Sequence, residues 1–120
     1  MQGTLFLDTN IKIEVDKEWF TVKKCLENPT KLYIFGDNLM RVGKGGQAQI
    51  RDCFNATGIA TKCAPTMQSN AFFRDSTPEE QEYFKNAIWK DILKIRQRLN
   101  NPNFKFDTIV FPIDGLGTGL

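Results

Sequence analysis

Two short apolar runs, Leu32-Tyr33-Ile34-Phe35 and Thr108-Ile109-Val110-Phe111, each break into glycine. The first does so at Gly36 and again at Gly43-Lys44-Gly45-Gly46, the second at Gly115-Leu116-Gly117-Thr118-Gly119. Unbroken apolar runs of this length read as strands covered on both faces, the kind found in parallel sheets with helices on each side. The chain between them supplies such a helix. Thr77-Pro78-Glu79-Glu80 offers an N-cap, a proline at the first helical position and a glutamate three residues after the cap. Phe84, Ile88, Ile92, Ile95 and Leu99 then recur at steps of three and four, and Asn100-Asn101-Pro102 ends the run. The order strand, glycine loop, helix, long helix, strand, glycine loop predicts an α/β fold with a partly parallel sheet.

The rest of the chain is less sharply written. Leu5 and Leu7, then Ile11, Ile13 and Val15, alternate as half-buried strands do, with Asp8-Thr9-Asn10 as a turn. Trp19, Val22 and Leu26 fall at helical spacing before Asn28-Pro29. After the first glycine loop, Ala48, Ile50, Arg51 and Phe54 predict a helix of two or three turns, ended by Asn55-Ala56-Thr57-Gly58. Residues 59–63 read as a further short strand and residues 64–75 as loop. No linker or repeat divides the chain, and its 41% apolar content supports one core, so residues 1–120 form a single domain.

Absences narrow the chemistry. The sequence has no histidine, which excludes serine triads, Cys-His pairs and His-ligated metals. Catalysis would have to use carboxylate, lysine, tyrosine, thiol or bound water. Cys25, Cys53 and Cys63 are odd in number and lack CxxC spacing, so they read as buried thiols rather than disulfides or a zinc site. No metal or cofactor is expected. A formal charge of +2 argues against nucleic acid as the main partner, and the lysines and arginines at 23, 24, 90, 94, 96 and 98 read as solvated faces. Without an apolar run of 18 residues or a basic-then-apolar leader, the expected location is the cytoplasm, with no membrane contact.

Glycine lets backbone N–H groups approach a ligand closely, and a following helix start adds partial positive charge, so a glycine loop at a strand's carboxyl end suits an anion. Ligands of open α/β sheets sit at those ends, and both glycine clusters lie there. The first cluster is not a Walker motif, because no GK[ST] closes it, nor GxGxxG, because position 48 is alanine.

At these loops the sequence resembles the macrodomain family of ADP-ribose-binding α/β modules, in the branch common to phage and bacterial genomes. Phe35-Gly36-Asp37-Asn38 followed by Gly43-Lys44-Gly45-Gly46-Gln47-Ala48 is similar to the family's strand, asparagine and glycine loop. Val110-Phe111-Pro112-Ile113-Asp114 running into the second cluster is similar to its strand ending in "FP". The match spans about residues 31–119. It implies a macrodomain-like mixed sheet flanked by helices, and a phage-encoded copy would act in the host cytoplasm. It also implies that Asn38 contacts a ribose. Gly36, Lys44, Gly45, Gly46, Gln47 and Ala48 would form one phosphate loop; Gly115, Leu116, Gly117, Thr118 and Gly119 would form the other.

Family members usually continue past the second loop into a covering helix, whereas this sequence stops at Gly119-Leu120. The resemblance therefore implies a domain truncated at its C-terminus, with an apolar face open to a protein partner or to self-association. The stretch that holds adenine in many members has no counterpart beyond Asp8.

The expected function is binding of ADP-ribose or a related nucleotide, with hydrolysis of an ADP-ribosyl linkage by Asn38 and a water held by Asp37 and Asp114. The alternative is a non-catalytic binder that sequesters a nucleotide signal or occupies a host protein. Simple roles stand beside these: an Asx-turn for Asn38, turn positions for Asp37 and Asp114, and a core plug or a base-stacking wall for Phe72 and Phe73. A weaker third reading groups Arg41, Lys44 and Arg51 as a nucleic-acid contact.

Overall fold

The computed structural model describes residues 11–66 and 68–117. The elements run β1 (Lys12–Asp16), α1 (Val22–Glu27), β2 (Lys31–Asn38), β3 (Ala56–Lys62), α2 (Pro78–Asn100) and β4 (Thr108–Pro112), with 3-10 turns at Gln47–Ile50 and Ser69–Ala71. The sheet order is β1-β4-β2-β3. Every described strand pair is parallel, so the expected mixed sheet is here uniformly parallel. Leu5, Leu7, Asp8, Thr118 and Gly119 lie outside the described residues.

The central strand is the apolar run that the sequence marks most clearly. Seven of the eight residues of β2 are buried, and its alternate side chains feed two separate cores. Tyr33 and Phe35 join Phe20, Cys25, Ala48, Ile50, Ala56 and Val110 on the face carrying α1 and the first 3-10 turn. Leu32 and Ile34 join Ile59, Ile109, Phe106 and Ile95 on the face carrying α2. Helices therefore cover both sides, and α2 provides the return crossover from β3 that inserts β4 between β1 and β2.

α2 follows its sequence signals. The Thr77 side chain accepts the N–H of Glu80, Pro78 opens the helix, and Asn101 is the C-cap. α1 forms where helical spacing places it, but the face is different. Trp19, Val22 and Leu26 are largely exposed, while Phe20 and Cys25 go into the core. Asn55 explains the docking: its buried amide donates to the carbonyls of Cys25, Asn28 and Lys31, drawing the end of α1 onto the start of β2.

The helix expected after the first glycine loop is a single 3-10 turn. Ala48 and Ile50 are buried as a helix would have them, yet the residues expected to end that helix begin β3. The reason lies in the sheet, where Tyr33 donates its N–H to Asn55 and pairs with Ala56, so strand pairing claims this segment before a second helical turn can form. Among the described residues no helix is long and apolar enough to cross a membrane.

Candidate functional site

β2 and β4 end side by side at the carboxyl edge of the sheet, and each releases one glycine loop. The second loop crosses back over β2. A Cβ on Gly36 would lie 1.5 Å from the carbonyl oxygen of Leu116, so only glycine permits this approach. Thr61 on β3 donates its hydroxyl to the same carbonyl at 3.1 Å, and the Leu116 side chain packs on the α2-side core. Gly117 passes close to the ring of Phe72.

The first loop is held from its carbonyl side. Asn38 Nδ2 donates to Val42 O at 2.8 Å, Arg51 Nε to Gly43 O at 2.8 Å, and Gln49 Nε2 to Gly46 O at 3.1 Å. Gly46 has φ 57° and ψ −137°, a conformation restricted to glycine. The expected phosphate-loop residues then divide. Lys44 turns away to pair with Asp52 at 2.5 Å. Gln47 is buried, and its Oε1 accepts the Phe20 N–H at 2.8 Å. Ala48 is core.

Asp37 is almost wholly buried and fully engaged. Its Oδ1 accepts the Asn38 N–H at 2.8 Å and Arg51 Nη2 at 2.6 Å. Its Oδ2 accepts Arg41 Nη1 and Arg51 Nη1, each at 3.2 Å. Four donors fill about four lone-pair positions, so this carboxylate is built as a clamp on the loop. Burial works against charge on the Arg41 guanidinium, but Asp91 and Asp37 outweigh it and raise its pKa. Arg41 accepts a left-handed backbone, φ 57°, to reach both carboxylates. Asp114, by contrast, is exposed on the turn after β4.

Asn38 is 1% exposed, and its Oδ1 has no hydrogen-bond partner. Across the register from it lies a residue the sequence reading missed. Lys62 ends β3 opposite Asn38, is wholly buried, and holds its ammonium 5.4 Å from the centroid of the Phe72 ring. Burial lowers its pKa, and Asp37 offsets part of that effect. The signal available in the sequence was a lysine closing the otherwise apolar strand after Ile59 and Ala60. Phe73 stacks on Phe84 of α2 at 4.2 Å, a core plug, so the two phenylalanines have different surroundings.

A cavity of about 390 Å³ opens between Leu39 and Arg41 on one side and Tyr83, Asn86 and Lys90 of α2 on the other. A larger apolar groove of about 550 Å³ lies along α2 at Ile88, Trp89 and Ile92 and includes no residue of either glycine loop. Among the described residues no cluster of three or more acidic or thiol side chains could hold a metal. The three cysteines are free thiols.

No curated protein and no solved structure matches the chain. Residues 15–120 match the model of a family of unknown function (DUF7831), and the chain belongs to that family.

Proposed function

We propose that this protein binds ADP-ribose or a related nucleotide at the carboxyl ends of β2 and β4, its diphosphate between the two glycine loops. The observation that carries the reading is Asn38. A buried amide oxygen without a donor costs about 1–3 kcal/mol, and a ligand hydroxyl would remove that cost. Asn55 also has a buried Oδ1 without a partner, but it sits at the start of β3, tied by its amide nitrogen to the α1–β2 junction. Asn38 alone of the two stands where loops from adjacent strands meet. Its Nδ2 holds the first loop while its Oδ1 awaits a ribose hydroxyl, and Lys62 across the register contributes positive charge toward a phosphate.

Calorimetric titration with ADP-ribose, with AMP and NAD as comparisons, tests the reading. Saturable binding of ADP-ribose that Asn38→Ala weakens at least tenfold and Gly46→Glu abolishes supports it. Absence of binding in a folded wild-type protein overturns it.

A second reading is binding without turnover, and the saturation of Asp37 favours it. Hydrolysis of an ADP-ribosyl linkage needs a carboxylate with a free lone pair to hold water, and at the loop mouths that leaves Asp114. Chromatography of ligand recovered after saturation separates the two: unchanged ADP-ribose supports sequestration, and a product lost in Asp114→Asn supports hydrolysis.

A further inference from the structure

The two edges of the sheet are finished differently. On β3 the outward N–H of Ala60 donates to Asp91 Oδ2 at 2.8 Å. The outward carbonyl of Ala56 accepts Arg98 at 3.2 Å, and Arg98 also donates to Phe54 O, so α2 seals that edge with two side chains. On β1, Lys12 donates its N–H to Asp107 O and Asp16 accepts from Ile113 N–H. The backbones of Lys12, Glu14 and Asp16 therefore face β4, and the N–H and C=O groups of Ile13 and Val15 point away from the sheet. No described residue bonds to them. Their side chains, 63% and 58% exposed, lie on the face of their register partners Ile109 and Phe111.

We propose that this edge pairs with the β1 edge of a second copy of the chain, antiparallel, joining two four-stranded sheets into one. An edge that no described residue seals, with apolar side chains, is a template for another strand, and residues 12–16 contain no proline or bulge to prevent it. The self-complementary charge pattern identifies the partner. With Glu14 on the two-fold axis, Ile13 of one copy opposes Val15 of the other, and both present outward backbone groups. Two such pairs exchange four N–H···O=C bonds.

In the same register Lys12 opposes Asp16 of the second copy, a second cation beside a carboxylate that Lys24 of its own chain already holds at 2.7 Å. Glu14 opposes its own copy, but each Glu14 is already neutralised by Lys31 at 2.9 Å. Slipping the register by one residue would set outward groups against inward ones and lose the ladder. A strand of five residues buries less than the roughly 1,200 Å² typical of stable interfaces, so the dimer is concentration-dependent.

The test combines sedimentation velocity with amide hydrogen exchange by NMR over a dilution series of the full chain. Wild type should show a sedimentation coefficient that rises with concentration, and protection of the Ile13 and Val15 amides should fall at least tenfold on dilution. Two variants probe the register: Val15→Pro removes an outward donor at a position where an edge strand accepts proline, and Lys12→Glu sets like charges opposite Asp16. Both should be monomeric where wild type is dimeric. Lys12→Glu changes a side chain with no core contact, so it remains informative if Val15→Pro proves unfolded by circular dichroism.

Three results would overturn the proposal. One is a wild-type monomer at every concentration. Another is a dimer untouched by Lys12→Glu. The third is amide protection independent of concentration, which would mean that the edge is covered within one chain.

Discussion

Asp91 on α2 caps the outward N–H of Ala60 on β3 at 2.8 Å, a helix carboxylate finishing the edge of a sheet. Its other oxygen accepts Arg41 at 2.8 Å, and Arg41 passes on to Asp37, which Arg51 also grips. One continuous set of charge-assisted bonds therefore ties the long helix, the sheet edge and the first glycine loop. The position of that loop depends on a residue about 50 positions away in the sequence. Such a network holds in place a loop whose apolar side chains, Met40 and Val42, are exposed.

Removing Asp91 should cost stability and loosen the loop together. Asp91→Ala leaves Arg41 without one of its two carboxylates and Ala60 N–H without an acceptor. We expect a loss of about 3 kcal/mol, the lower end for a broken buried pair because Arg41 is 35% exposed. Asp91→Asn keeps an acceptor for Ala60 and should cost roughly half as much. Urea unfolding of the two variants measures the difference. Equal losses would show that the lost charge opposite Arg41 accounts for the whole cost and that the Ala60 hydrogen bond contributes nothing.

Gly36→Ala should act on the second loop. Its Cβ would collide with the Leu116 backbone, which cannot swing aside as a flexible side chain would, so the loop must lift from β2. Overpacking of this kind costs about 1–3 kcal/mol. The Thr61–Leu116 hydrogen bond would be lost with it, and the amide resonances of residues 115–117 should shift while those of β3's outer edge stay in place. If ADP-ribose binds between the loops as proposed, its affinity should fall even where the variant remains folded.

The features legible in the sequence are those that local chemistry decides. Thr77 and Pro78 start α2 whatever surrounds them, and Leu32 to Phe35 is too apolar to be anything but central. Gly36 and the residues at 43–46 announce close backbone approaches. The features that escaped are decided by partners distant in sequence. The helix expected from Ala48 to Phe54 contracts to one 3-10 turn because β2 pairs with the segment from Ala56. Trp19, Val22 and Leu26 have helical spacing, yet Asn55 docks α1 by its other side. Asp37 reads as a candidate to hold water until Arg41 and Arg51 are found on it, and no spacing rule brings three such residues to one point.

Alkaline pH should probe the α1-side core. Burial pushes the Tyr33 hydroxyl up to about 12 from its ordinary 10. The unfolded chain ionises this group first, so its contribution is intact below pH 10 and is lost as pH rises through that interval. About two units correspond to roughly 2 to 3 kcal/mol. Cys25, likewise raised to about 12 by burial and its neighbour Cys53, adds to the same decline. Tyr33→Phe should match wild type near neutral pH and lose part of the alkaline slope; denaturant midpoints across pH 8 to 11 provide the comparison.

Lys62 should behave in the opposite sense, and that contrast separates a structural lysine from a functional one. Its folded pKa lies below the ordinary 10.5 because burial disfavours the ammonium. At neutral pH the folded protein carries a buried charge at a cost. As pH climbs from the lowered value toward 10.5, the folded state releases the proton before the unfolded state does, and stability rises. Lys62→Met removes both the cost and the pH dependence. Near neutrality the stability change sets the relief of that desolvation cost against the loss of the contacts the ammonium makes, the Phe72 ring at 5.4 Å among them. The wild-type minus variant difference across pH 7 to 11 isolates this group from Tyr33 and Cys25, which titrate in both proteins. If the substitution raises stability and also weakens ADP-ribose binding, the lysine is retained for its ligand. A variant that is more stable and binds equally well would remove Lys62 from the site and leave the recognition to Asn38 and the loops.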